Sequence, residues 1–212
     1  MEVTFRAQAR YKGCMSGGSA WNDEALMLAY AGGDGSAFDE LFKRYGTRLF
    51  SFLLRASGDR ALAEDLFQAT FLHLHQARKN YVAGTFKAFL FTIAANLLRD
   101  ERSRAEHRRR TTMDEETLEA IPAGNRIADS DPESLSEARE TTEKIEAAIA
   151  QLPQGLREVL LLSRYQGLTG REIALALGIS EGAVKVRLFR ALAQLRAALR
   201  APDKAAGESG NE

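Results

Sequence analysis

Cysteine, proline and long apolar runs are all scarce in this chain. Cys14 is the only cysteine of 212 residues, which excludes an internal disulfide and a cysteine-based zinc site. Only 4 prolines and 8% aromatic residues are present, while Ala, Leu, Arg and Glu abound. That balance favours helix over sheet. No apolar run approaches the roughly 18 residues of a membrane span. The first 20 residues hold Arg6, Arg10 and Lys12 but no apolar segment, unlike a secretory signal. No stretch alternates convincingly as a strand would, and no internal repeat is visible. With 45% hydrophobic residues the chain can still bury real cores. The expectation is a soluble, cytoplasmic, all-α protein without membrane insertion.

Charge is balanced overall, at 29 basic and 29 acidic residues, but it is segregated. Residues 99–110 carry six arginines against three acids, a net +3. Residues 111–140 carry nine acids against two arginines, a net −7. Residues 181–200 carry five cations against Glu181, a net +4. Local charge decides what a surface attracts, so two basic segments flank an acidic one.

Residues 1–22 read as a flexible arm, with Ser16-Gly17-Gly18-Ser19 inside it. Met15 lies just before that tract and is a candidate translation start beside Met1. Helical periodicity begins at Asp23. After a break at Gly32–Gly35, Phe38, Leu41, Phe42, Tyr45, Leu49, Phe52 and Leu53 form one apolar stripe. Ser57-Gly58-Asp59 ends that helix, and Asp59 is a candidate cap for the next. The third helix, to about Arg78, carries Leu62, Leu66, Phe67, Phe71, Leu72 and Leu74, an arc wider than one core face needs. A loop over 79–84 precedes a fourth helix with Phe86, Phe89, Leu90, Ile93, Ala94 and Leu97. That helix runs on into the arginine-rich stretch. Residues 23–110 therefore read as a four-helix domain. Residues 111–140 read as an acidic linker, 141–200 as a second domain and 201–212 as a disordered tail.

The sharpest local signal lies at 168–199. Thr169 and Glu172 have capping-box spacing. Gly178 sits where a tight turn needs positive φ, and Ser180 can cap the next helix. In that helix Val184, Leu188, Ala191 and Leu195 share an inner face. Gly182, Lys185, Val186, Phe189 and Arg190 share the opposite one. A short helix, a glycine turn and a cationic second helix make a helix-turn-helix, whose second helix suits the DNA major groove. Lys185 and Arg190 can reach phosphates or guanine edges. The motif alone does not choose between repressor, activator and other DNA readers.

Tyr81, Phe86, Phe89 and Phe91 lie beside the arginines of 99–110. Aromatics next to cations suit unstacked bases, and they equally suit a core beside a solvated face. His73 and His75 point to different helix faces, and no HExxH motif exists, so a metal centre is not expected. Glu64 and Asp65 diverge on a helix and make a poor catalytic pair.

Two segments carry a family resemblance. Residues 63–71 (AEDLFQATF) and 85–100 (TFKAFLFTIAANLLRD) resemble region 2 of bacterial extracytoplasmic-function (ECF) sigma factors. Leu152-Pro153 through Gly167-Leu168-Thr169, with the helix-turn-helix to Ala191, resembles their region 4. The resemblance covers about 23–200 in the family's order. It implies a non-enzymatic factor, needing no cofactor, that binds core RNA polymerase and directs it to promoter DNA. Glu64, Asp65, Gln68 and Phe71 look like the surface that docks the polymerase β′ clamp. Asn80, Tyr81, Phe89, Asn96, Asp100, Arg102 and Arg104 look like the −10 recognition and melting segment. Arg171, Gly182, Lys185, Val186, Phe189 and Arg190 look like the −35 readers. The second domain is expected to meet the β flap, and an anti-sigma factor is an implied partner. Phe89 stands where the family usually has Trp; Ala69, Ala95 and Val186 replace a common Glu, Arg and Ser. The rival reading is a two-domain regulator that binds an operator through the helix-turn-helix without polymerase.

Overall fold

The computed structural model describes residues 21–81, 85–112 and 136–200. The arm to Ala20 with Cys14 and both candidate starts, residues 82–84 of the loop, most of the acidic linker and the tail lie outside them. Among the described residues the chain is helical, with no strand. We number the helices α1 (Asp23–Ala31), α2 (Gly35–Ser57), α3 (Arg60–Ala77), α4 (Phe86–Thr112), α5 (Ser136–Gln151), α6 (Gln154–Leu160), α7 (Gly170–Leu177) and α8 (Glu181–Arg200).

Caps set most of these boundaries. The Asn22 side chain accepts from the Ala25 amide, so the first domain begins one residue before the acidic pair at 23–24. Trp21 is tied in as well, because its carbonyl accepts from Arg44. Asp34 caps α2, and Gly58 ends it at φ 74°, a left-handed conformation that costs glycine little. Asp59 accepts from the amides of Ala61 and Leu62 and starts α3. The Thr169–Glu172 capping box is formed in both directions, and Gly178 closes α7 at φ 64°. Ser180 Oγ accepts from the Ala183 amide at the start of α8. Helix occupies part of the expected linker, since α4 runs to Thr112 and α5 begins at Ser136.

The N-terminal half packs α1 to α4 around Met27, Leu41, Leu49, Phe52, Leu74, Phe86, Leu90 and Phe91. Asp23 locks the first turn of α1 to α2: Arg44 donates to its Oδ1 at 2.8 Å, and the Tyr45 hydroxyl donates to its Oδ2. Burial, with the Asp23 carboxylate beside it, pushes the Tyr45 hydroxyl far above the ordinary range. The C-terminal half packs α5 to α8 around Leu152, Val159, Leu161, Leu162, Ile173, Val184 and Ala191. A π-helical turn, Leu161–Tyr165, extends α6. Its extra residue per turn swings Tyr165 and Gln166 out toward α2. There Tyr165 lies under the Arg55 guanidinium, 4.9 Å from ring centroid to Cζ.

One stripe differs from the sequence reading. On α4 the buried positions are Phe86, Ala88, Leu90, Phe91, Ala94, Ala95 and Leu98, with Phe89, Ile93 and Leu97 only partly covered. The reason is double coverage: α3 packs on one side of α4 and α7 on another. The core face is therefore broader than a single-partner helix requires.

Candidate nucleic-acid interface

The outer face of α8 is as open as its sequence pattern requires. Gly182, Lys185, Val186, Phe189 and Arg190 are all exposed, with Phe189 at 74% and Val186 at 50%. Val184 and Ala191 are buried beneath them, and Leu188 and Leu195 are packed against the core. Within the described residues neither Lys185 nor Arg190 makes an ion pair. Exposed apolar rings beside free cations are costly in water and useful against thymine methyls and phosphates. Arg171 is exposed at the first turn of α7, the helix that precedes the turn. Leu175 on α7 is also 74% exposed. The sequence reading did not single it out; it lies outside the buried set Ile173, Ala174, Ala176 and Leu177.

A second open face runs along α3. Glu64, Asp65 and Gln68 are exposed, with Glu64 paired to Arg60 at 2.9 Å. Phe71 does not belong to that face. It is buried among Phe38, Phe42 and Phe67, with centroids 5.8, 4.9 and 5.1 Å away. Its neighbour Leu72 is the exposed apolar residue, at 56%, and Phe42 on α2 is 43% exposed. The surplus arc on α3 therefore divides into an aromatic core and a separate outward leucine. Periodicity cannot assign adjacent apolar residues to opposite sides without knowing where α2 lies.

The third cluster lies at the start of α4. Arg78–Asn80 forms a single 3₁₀ turn, after which Tyr81 packs edge-on against Phe89 at 5.3 Å. Asn80 is exposed; Tyr81 and Phe89 are half-buried. Phe86 and Phe91 belong to the core instead, against Tyr45 and Phe52. Of the four aromatics near the arginines, two are thus available and two are not. Asn96 and Asp100 are exposed on the same helix.

The arginines of α4 are held in two ways. Arg104 and Arg108 share the Glu101 carboxylate at 3.2 and 2.8 Å, which keeps that carboxyl below its usual range. Arg102 is turned inward, paired with Glu158 of α6 and donating to the Ala56 carbonyl. Burial lowers its guanidinium pKa, against the raising effect of Glu158. Arg99 donates to the Leu177 carbonyl at 2.9 Å and to Asn96. His75 meets the Tyr30 hydroxyl at 2.5 Å through Nδ1, so its ring serves the contact between α1 and α3.

Comparison with known proteins decides between the two readings of this arrangement. The family model for Sigma-70 region 2 matches residues 41–109, and that for Sigma-70 region 4 matches residues 142–195. The RNA polymerase sigma factor CarQ of Myxococcus xanthus is 38% identical over 171 residues, 80% of this chain and 93% of CarQ. The chain belongs to the ECF sigma factor family. The ECF sigma factor SigL of Mycobacterium tuberculosis (strain H37Rv) is 33% identical over 86% of this chain and 93% of SigL. Among solved structures, the complex of CnrH with the cytosolic domain of CnrY matches at TM-score 0.59 and 27% identity, over 84% of this chain and 96% of the matched chain. This sigma factor is accordingly a transcription initiation factor, of a family that is not a catalytic enzyme class. The match to region 2 favours this reading over that of an operator-binding regulator. Among the described residues, no helix of the sigma factor is long and apolar enough to cross a membrane.

Proposed function

We propose that this sigma factor divides its work among the three faces just described. The exposed face of α3, with Glu64, Asp65, Gln68 and the outward Leu72, docks the β′ clamp of core RNA polymerase. The C-terminal half meets the β flap. The outer face of α8, with Arg171 beside it, reads the −35 element through Gly182, Lys185, Val186, Phe189 and Arg190. The start of α4 takes the −10 element: Asn80, Tyr81 and Phe89 receive an unstacked base, and Asn96, Asp100 and Arg104 meet the strands as they part, whereas the inward Arg102, held by Glu158, does not face them. A stacking surface beside cations suits single-stranded DNA. The observation that supports this reading best is the exposure of Phe189 and Val186 between Lys185 and Arg190, on the outer face of a helix-turn-helix.

Polymerase serves as the scaffold that gives two weak DNA readers a high effective concentration. The protein therefore acts in the cytoplasm and binds promoters poorly by itself. The similar CnrH was solved with the cytosolic domain of CnrY. By extension, an anti-sigma protein is a partner of this chain and covers its docking faces. The test is transcription in vitro with core RNA polymerase and a genomic promoter library, sequencing 5′ ends. New start sites that share two upstream elements, seen only with the protein present, are expected. No initiation, together with tight binding of the protein alone to duplex DNA, would refute the reading.

A further inference from the structure

Helix α1 lies outside the residues matched by the two family models, 41–109 and 142–195, yet its side chains reach both the end of α3 and the start of α4. The helix is itself held firmly. Leu26, Met27 and Tyr30 are buried in the core, and Asp23 is bound by Arg44 and Tyr45 of α2. At its first turn the Glu24 carboxylate accepts from the backbone amide of Phe86, the first residue of α4, at 3.2 Å. A helix leaves its first amides without intrahelical partners, and a carboxylate there also meets the positive end of the helix dipole. Thr85 stands where a capping hydroxyl would, but its Oγ1 donates to Glu172. Glu24, 62 residues away in the sequence, supplies the acceptor for Phe86 instead.

The last turn of α1 grips the other side. There the Tyr30 hydroxyl meets His75 Nδ1 on α3. Burial raises the Tyr30 pKa, with Arg78 opposing, so the hydroxyl keeps its proton at neutral pH and is available to donate. The Arg78 guanidinium lies over the same Tyr30 ring, 6.0 Å from centroid to Cζ, and donates to the His75 carbonyl. Arg78 opens the 3₁₀ turn, and its own carbonyl accepts from the Tyr81 amide at 3.4 Å. Tyr81 in turn packs on Phe89, in the first turn of α4. The two aromatics are therefore carried by two stems that α1 holds together: Tyr30 braces the one that delivers Tyr81, and Glu24 caps the one that delivers Phe89.

We propose that Glu24 and Tyr30 are positioning residues for promoter opening: from α1 they set the spacing and orientation of Tyr81 and Phe89, the pair that receives an unstacked base. The inference rests on the −10 assignment made above. The two side chains act through the stems rather than on DNA. A receiving surface held rigidly in its working geometry loses less freedom when a base arrives, so capture competes better with reclosure of the duplex. Loosening a stem slows opening but leaves core docking and −35 reading as they are, since those faces lie elsewhere on α3 and on α8.

Conservative variants give the test. Tyr30→Phe keeps the buried ring and removes only the hydroxyl. Glu24→Ala removes the cap, whereas Glu24→Gln keeps an amide oxygen that can accept from Phe86. Each full-length variant is assembled with core RNA polymerase on a promoter found by the 5′-end mapping above, and on the same promoter with a mismatched, pre-opened −10 region. Permanganate reactivity of thymines reports opening, and fluorescence anisotropy reports core binding. On the paired promoter Tyr30→Phe and Glu24→Ala are expected to open roughly three- to tenfold more slowly than wild type, about the worth of one hydrogen bond. Core affinity is expected to stay at the wild-type value, the pre-opened promoter to narrow the defect, and Glu24→Gln to recover most of the lost rate. Wild-type opening rates in Tyr30→Phe and Glu24→Ala overturn the proposal. Slower opening matched by an equal loss of core affinity also overturns it, because α1 is then a structural support only. Phe89→Ala, measured in parallel, separates the inference from the assignment beneath it. If Phe89→Ala also opens the promoter normally, the −10 assignment fails and takes the proposal with it. If Phe89→Ala alone is slow, the −10 assignment stands and the role of α1 fails by itself.

Discussion

The ring of Tyr81 stands edge-on to Phe89, with centroids 5.3 Å apart. A short 3₁₀ turn delivers the one and the first turn of α4 the other. Edge-to-face pairs of this kind contribute roughly 0.5–1.5 kcal/mol beyond buried area. Phe89→Ala is expected to destabilise the fold modestly and to reduce promoter melting. Phe89→Trp, which keeps an aromatic face, is expected to retain melting. Permanganate reactivity of unpaired thymines in the polymerase–promoter complex checks both.

Charge reversal on α3 tests docking. Asp65 is exposed, so Asp65→Arg is expected to leave thermal stability within about 0.5 kcal/mol of wild type. Affinity for core polymerase is expected to fall at least tenfold, measured by fluorescence anisotropy of labelled protein. Unchanged affinity would remove α3 from the docking surface.

Phe71 and Leu72 are adjacent and are expected to behave oppositely. Phe71 lies in the aromatic core, so Phe71→Ala is expected to cost about 3–5 kcal/mol in urea unfolding. Leu72 is 56% exposed, and Leu72→Ala is expected to leave unfolding nearly unchanged while weakening core polymerase binding.

Arg190→Ala on α8 is expected to cost about 1–3 kcal/mol in −35 DNA affinity and to relax selectivity at one base pair, if the guanidinium reads a base edge. Lys185→Ala, if it neutralises a phosphate, is expected to weaken all sequences evenly and to flatten the salt dependence. Competition between promoter variants at two salt concentrations distinguishes these outcomes.

Glu172 gives a pH signature. Burial raises its carboxyl pKa, but hydrogen bonds from Thr85 and from the Thr169 backbone and side chain outweigh that, so the net shift is downward. A lowered folded-state pKa contributes stability that is complete above the ordinary glutamate value of about 4.3. That contribution is lost as pH falls through the lowered value. Urea unfolding from neutral pH into that acid range is expected to show Glu172→Gln losing less stability than wild type.

Much of the fold was legible in the sequence because caps and stripes are local. Asp59, Thr169 with Glu172, and Ser180 start helices by bonding amides two or three residues away, so their spacing alone announces them. Gly178 is legible for the same reason, since the turn between α7 and α8 needs its positive φ. The reader face of α8 was legible too, because its buried partners repeat at helical spacing on the other side.

Tertiary structure decided what periodicity leaves degenerate. Only the position of α2 sends Phe71 into the core and Leu72 outward. Only the burial of Phe86 and Phe91 leaves Tyr81 and Phe89 as the available aromatics. Helices, their order, the family and the sign of each charged segment are local properties, carried by neighbours along the chain. The pairing of Arg102 with Glu158, 56 residues apart, is set by how α4 and α6 are brought together. No local pattern encodes it, because a charge seeks whatever opposite charge the packing brings near.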